Sequence, residues 1–202
     1  MHKNYNYNNS ENVLKRRMGM SKKVLILAGD AVEALEVYYP YYRLLEEGYE
    51  VTLAGPSKKK IQTVIHDFTG WDTYEEKLGY QLQLDTSFEE VNPEEYDGLV
   101  IPGGRAPEYL RLDENVLKIV KHFFAANKPV AAICHGAQIF EAIPGLLEGR
   151  KLTAYIACKP GVVAAGGTYV EENNYVDGNL VSAHAWPELP TFMKEFLKLL
   201  NQ

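Results

Sequence analysis

Only two of the 202 residues are cysteine, Cys134 and Cys158. A chain this long with so few thiols is not a disulfide scaffold. The five histidines, His2, His66, His122, His135 and His184, form no H-E-x-x-H or comparable pair, so no metal site is expected. No Gly-Lys-Ser or Gly-Lys-Thr follows Gly103-Gly104, which removes a phosphate loop, and no cofactor is expected. No apolar stretch is long enough to span a membrane. Residues 1–20 are rich in Asn, Tyr and charge and lack the apolar centre of a signal peptide. The expectations are a cytoplasmic protein with no membrane partner. Basic residues are in deficit as well, 21 Lys and Arg against 27 Asp and Glu, for a net charge of −6. The one dense basic cluster, Lys58-Lys59-Lys60, follows Gly55-Pro56-Ser57 and reads as a solvated loop, so nucleic acid is a poor candidate partner.

What is present is an ordinary globular composition, with 46% hydrophobic and 24% charged residues, which excludes disordered and fibrous classes. Residues 1–20 read as an N-terminal extension and residues 21–202 as a single domain. Lys23–Ala28 is a continuous aliphatic run, as expected of a strand buried on both faces in a parallel sheet. Glu33–Glu47 has helical spacing and stops at Gly48. Val51–Ala54, Gly98–Ile101, Val130–Ile133 and Leu180–Ala183 are further strands. Helices are expected at Asp113–Ala126, at about Gly136–Ile143 and at Pro187–Leu200. This alternation predicts an α/β fold, a doubly wound parallel sheet covered on both faces. Residues 57–96 break the rhythm and read as a loop or small hairpin over one end of the sheet.

Sites in such sheets form outside the carboxyl ends of the strands. Three segments there carry chemistry. Ala132-Ile133-Cys134-His135-Gly136 has the small-x-nucleophile-x-small pattern of a strand-to-helix elbow, whose turn is too sharp for bulky flanks. A thiol there projects into the crevice at a helix N-terminus, where the dipole favours thiolate. Cys158 has no such setting and reads as structural, on a helix near Pro160. His135 offers its backbone N–H as an oxyanion donor, with the amides of Gly103 and Gly104 as further donors. Its imidazole can pair with the thiol. Glu36, early in the first helix, is placed to be desolvated and to donate a proton to sulfur. Glu33 fits a surface acid of the first helical turn better. Glu108 is either an orienter of His135 or a solvated loop acid.

Together, Glu36 four residues before Pro40, Val100–Glu108 and Ala132–Gly136 resemble the ThiJ/PfpI family, over about Lys23 to Leu200. The resemblance implies a flavodoxin-like sandwich, a Cys134–His135 pair with Glu36 bonded to the thiol, and Glu108 reaching His135, in some members across a subunit boundary. It also implies a homo-oligomer. A finer resemblance, to the glutathione-independent glyoxalase branch, rests on His66-Asp67-Phe68, Thr73–Lys77, Gly166–Tyr169 and Ala185-Trp186-Pro187. Ala137 stands where family members often have Pro, and Tyr80 where relatives often carry His. His184 reads as a structural residue at a strand end.

The function expected on these grounds is conversion of methylglyoxal or glyoxal to the hydroxy acid, or removal of their adducts, without a cofactor. Cys134, His135, Glu36 and Glu108 would be the catalytic residues, and Gly103, Gly104 and His135 the oxyanion donors. The partner is then a small dicarbonyl substrate. One alternative is a peptidase or amidase using Cys134, His135 and Glu108 as a triad. Another is a non-enzymatic stress protein that senses oxidants through Cys134. A glutamine amidotransferase fits poorly, because His184 and Glu188 lack the His-x-Glu spacing.

Overall fold

The computed structural model describes residues 21–202. The expected extension over residues 1–20 lies outside the described residues. In chain order the strands and helices are β1 (Lys23–Leu27), α1 (Ala34–Glu46), β2 (Glu50–Gly55), β3 (Lys60–Asp67), β4 (Glu75–Gln83), β5 (Thr86–Ser87), β6 (Gly98–Ile101), α2 (Ala106–Leu110), α3 (Glu114–Ala125), β7 (Val130–Ile133), α4 (Ala137–Glu141), β8 (Lys151–Leu152), α5 (Lys159–Ala164), β9 (Thr168–Tyr169), β10 (Asn174–Asp177), β11 (Leu180–Ala183) and α6 (Leu189–Leu200).

Seven strands form the central sheet in the order β10-β11-β7-β6-β1-β2-β5. Every pairing is parallel except β10 with β11. Val24 to Leu27 are at most 1% exposed, so both faces of the centre are covered, as the aliphatic run requires. The chain runs outward from β1 through β2 to β5, then returns to β6 on the other side of β1 and continues to β7 and β11. That reversal makes the carboxyl ends of β1 and β6 a topological switch point, where this doubly wound, flavodoxin-like class leaves a crevice.

The helices follow their local signals. Glu33 caps α1 with its side chain, and Gly48 follows the helix at φ +87°. Asp113 caps α3 by accepting the Asn115 N–H. The helix expected over Gly136–Ile143 is shorter. A 3-10 turn at Cys134–Gly136 leads into α4, which ends at Glu141, just ahead of Pro144-Gly145. The last helix likewise opens with a 3-10 turn at Trp186–Glu188 before α6. Among the described residues no helix is long and apolar enough to cross a membrane.

Residues 57–96 contain the small hairpin. β3 and β4 pair antiparallel, with a register shift between Gln62 and Val64. The hairpin is tied to the loop after β1: the Ala31 N–H donates to the Gln62 carbonyl and the Val64 N–H to the Val32 carbonyl. It therefore lies over the crevice end of the sheet.

Candidate active site

Because β1, β6 and β7 are consecutive in the sheet, the three segments that follow them converge. Their loops are laced together by backbone bonds from Glu33 N–H to the Gly103 carbonyl and from Arg105 N–H to the Ala31 carbonyl. Cys134 occupies the turn after β7 at φ +58°, a left-handed conformation that costs a non-glycine residue about 1–2 kcal/mol. The small flanks matter physically. A Cβ on Gly136 would stand 2.6 Å from the Ile101 carbonyl oxygen of β6. A Cβ on Gly103 would stand 2.7 Å from both the Cys134 Cβ and Glu36 Oε2. Gly103 is the point where thiol and carboxyl meet the backbone.

Glu36 is fully buried. Its Oε2 accepts the Gly103 N–H at 2.8 Å. Pro40, inside α1, has no N–H to give to the Glu36 carbonyl one turn back. Burial, then the nearby charge of Glu33, push the Glu36 carboxyl up to about 8, against the pull of the Gly103 amide and the Cys134 thiol. At neutral pH Glu36 therefore holds a proton beside the sulfur.

Cys134 is 5% exposed, and burial and the Glu36 carboxylate push its thiol up, while the backbone amides of Gly104 and His135 pull it down. This corrects the expectation of a thiol drawn toward thiolate by a helix dipole. The helix after the elbow is short, and desolvation is the larger effect. The repulsion from Glu36 operates only while both groups are charged. With the proton on Glu36 it vanishes; Glu36 Oε1 is buried without a hydrogen-bond partner and can carry that proton.

The His135 Nδ1 lies 3.2 Å from Cys134 Sγ. Burial, and then the neighbouring His66, lower its imidazole to about 4, so it is neutral at physiological pH. Its backbone N–H and that of Gly104 bond the sulfur, whereas the Gly103 N–H, expected as a further oxyanion donor, is taken by Glu36 Oε2 instead.

Glu108 sits in α2 with an exposed side chain. Among the described residues it makes no hydrogen bond to His135. Its charge is felt instead at His66, Tyr74 and Arg105. Within one chain the Cys134–His135–Glu108 triad is not assembled.

Glu33 departs from its reading as a surface acid. It is 1% exposed because β3 crosses over it, bridging Glu33 to Val64. Its Oε2 accepts the Glu36 N–H at 2.8 Å, and burial raises it to about 6. Cys158 is buried, caps α5 beside Pro160, and is pushed up to about 12 by burial and then by Glu141. Tyr80 is 82% exposed and far from any site role, and the His184 ring reaches the site only through Tyr155, at 5.6 Å.

The sequence reading gave no role to the residues of the hairpin or to Tyr155. His66 Nε2 pairs with Glu76 Oε2 at 2.9 Å, and Arg105 holds Glu76 through two bonds of 2.7 and 2.8 Å. Arg105 is the main cause lowering the Glu76 carboxyl to about 2. Tyr74 and Tyr155 both pack against the His135 ring. The only signal was the clustering of His66-Asp67-Phe68 and Thr73–Lys77 in one resemblance, which named no contacts.

Similarity to known proteins agrees with this geometry. The model of the DJ-1/PfpI family matches residues 22–199. The chain is 48% identical over 190 residues to Protein DJ-1 homolog D of Arabidopsis thaliana, covering 91% of this chain and 49% of that protein. It is 44% identical over 179 residues to Deglycase PfpI of Pyrococcus furiosus, covering 89% of this chain and 99% of the relative. Among solved structures, a two-domain protein of Anabaena variabilis with DJ-1/ThiJ/PfpI-like and ferritin-like domains superposes with a TM-score of 0.77 at 32% identity, over 90% of this chain and 48% of that one. Drosophila melanogaster DJ-1beta shares the fold, with a TM-score of 0.76 over 91% of this chain and 92% of that one, at 24% identity. The chain thus spans about half the length of the Arabidopsis and Anabaena proteins and nearly all of the Pyrococcus one. With the family model matching nearly the whole described chain, and the elbow, the buried carboxyl and the Gly103 crossing in one crevice, the chain belongs to the DJ-1/PfpI family.

Proposed function

We infer that the chain is a cofactor-independent cysteine enzyme acting on methylglyoxal or glyoxal, either free or as adducts on other molecules. The observation that carries this reading is the Glu36 carboxyl, buried against Cys134 and pushed up to about 8. The relative named a deglycase, which this chain matches over 99% of the relative's length, supports the same class of chemistry.

Cys134 sulfur adds to the aldehyde carbon, with its proton taken up by the neutral His135. The carbonyl oxygen develops negative charge toward the amides of Gly104 and His135 and takes the proton of Glu36, giving a hemithioacetal. Glu36, now a carboxylate, removes the hydrogen from that carbon while His135 gives the proton it took from the thiol to the neighbouring carbonyl oxygen, which makes an enediol. Glu36 then delivers the hydrogen to the neighbouring carbon and takes back the hydroxyl proton of the sulfur-bearing carbon, which becomes a carbonyl. The product is a thioester of Cys134. Water hydrolyses it to the hydroxy acid and restores the thiol. Adduct removal begins with the same attack by the thiol.

A homo-oligomer is proposed on the family resemblance: Glu108 is exposed and unbonded to His135 within one chain, so it would meet an imidazole only across a subunit boundary. Two free thiols suit a reducing, cytoplasmic setting. The peptidase or amidase reading needs Glu108 beside His135, an arrangement that a single chain does not supply. The test is purified protein with methylglyoxal and no glutathione, assayed for lactate. Turnover that disappears in Cys134→Ser supports the reading, and no lactate from the wild type refutes it.

A further inference from the structure

Tyr74 takes no part in the chemistry above, yet it stands over it. It lies in the turn between β3 and β4, one residue before Glu75. Its ring stacks on the buried imidazole of His66, with centroids 3.9 Å apart and planes at 21°. The same ring meets His135 at 6.0 Å and 83°, and Tyr155 at 5.7 Å and 66°. Tyr155 lies against His135 at 4.8 Å, next to Tyr74, so the two rings form one continuous surface beside it. Tyr74 is close enough to feel the charge of Cys134, which is itself only 5% exposed.

This ring is held firmly for a residue in a turn. The His66 on which it stacks is fixed through Glu76, itself gripped by Arg105 from the loop after β6. The Trp186 indole N–H adds a bond to the His66 carbonyl at 2.9 Å. Anchors from three separate segments thus converge on one aromatic wall beside the thiol.

We propose that Tyr74 is a specificity-determining residue: with Tyr155 it walls the Cys134–His135 pair so that a small carbonyl compound reaches the thiol and one bearing an aromatic substituent is excluded. His66, Glu76 and Arg105 are positioning residues that hold the wall in place. The dicarbonyl class of the substrate rests on the function proposed above, but access to the thiol can be read without turnover.

Two measurements on the same proteins test it. The first is the rate of Cys134 modification by N-methylmaleimide and by N-phenylmaleimide, read by mass spectrometry. The second is kcat/KM for methylglyoxal and phenylglyoxal. Tyr74→Ala is expected to raise both aromatic-to-methyl ratios by about tenfold or more, the scale on which pocket shape discriminates apolar groups. Tyr74→Phe keeps both ratios near those of the wild type, and Glu76→Gln moves them part of the way. Unchanged ratios in Tyr74→Ala overturn the proposal. If that variant does not fold, seen as Cys158 labelling as fast as Cys134, Tyr74→Leu carries the same comparison. A labelling ratio that moves in a protein turning over neither dicarbonyl removes the dicarbonyl reading and leaves the wall standing. Turnover with immovable ratios does the reverse.

Discussion

Glu33 caps the helix that carries Glu36, accepting the Glu36 N–H on its Oε2 at 2.8 Å, and both carboxyls are buried. One bond thus fixes where α1 starts and sets a second carboxyl beside the proton-bearing one. The charge of Glu33 is the second-largest cause, after burial, of the raised Glu36 value. Glu33→Gln keeps the side-chain oxygen for the cap but removes the charge. The Glu36 carboxyl then falls, and the range in which it holds its proton ends at lower pH. The alkaline limb of the kcat profile for dicarbonyl turnover should shift downward. A limb that stays in place would show that Glu33 does not tune Glu36.

The same raised value makes stability depend on pH. In the unfolded chain Glu36 releases its proton near the ordinary 4.5, whereas in the fold it keeps it up to about 8. Between these values the folded state binds a proton that the unfolded state has lost, so stability is full below the lower value and declines as pH rises through the upper one. Thermal unfolding from pH 5 to 9 should give a falling Tm, with a flatter dependence in Glu36→Gln. Equal slopes in the two proteins would place the ionisation elsewhere.

Gly103 has no room for a side chain, its Cβ position being 2.7 Å from the Cys134 Cβ and from Glu36 Oε2. Gly103→Ala must push thiol and carboxyl apart. Displacements near 1 Å in a reacting geometry cost on the order of a hundredfold in rate. Turnover should fall by about that factor, with Tm reporting that the chain still folds. Wild-type rates in a folded Gly103→Ala would show that the two groups do not act together.

Cys134 and Cys158 are both buried, at 5% and 3% exposure, but only Cys134 faces two backbone amides and an imidazole. Cys158 turns its thiol toward the Cys134 carbonyl. Iodoacetamide labelling across pH should modify Cys134 first at every pH. Equal rates at the two thiols would count against a reactive elbow.

The elements of this site were legible to different depths. The strands Gly98–Ile101, Val130–Ile133 and Leu180–Ala183 match their sequence readings because short, mainly apolar runs, Leu180–Ala183 broken only by Ser182, have few other places to go. The elbow is also local, since Gly136 and Ala132 flank Cys134 within five residues. Convergence of Glu36, Gly103 and Cys134 is not local, for it depends on β1, β6 and β7 being neighbours. Glu33 was misread because its burial comes from β3, a strand in a segment without clear periodicity. Tyr74 and Tyr155 meet His135 only through tertiary packing, which no spacing in the sequence announces. The two-residue strands β5, β8 and β9 are too short to leave a periodic signal.

The central claim is that Glu36, rather than Glu108, moves the proton. Lactate formation from methylglyoxal without glutathione tests it most directly, measured as kcat/KM in the wild type, Glu36→Gln and Glu108→Gln. Glu36→Gln keeps the shape of the side chain but has no acidic proton to exchange. Its loss should fall in the hundredfold to ten-thousandfold range, on the order typical of a missing general acid–base group, while Glu108→Gln keeps a measurable fraction of the rate. Near-wild-type turnover in Glu36→Gln together with loss in Glu108→Gln would contradict the account and put a Cys134–His135–Glu108 triad in its place.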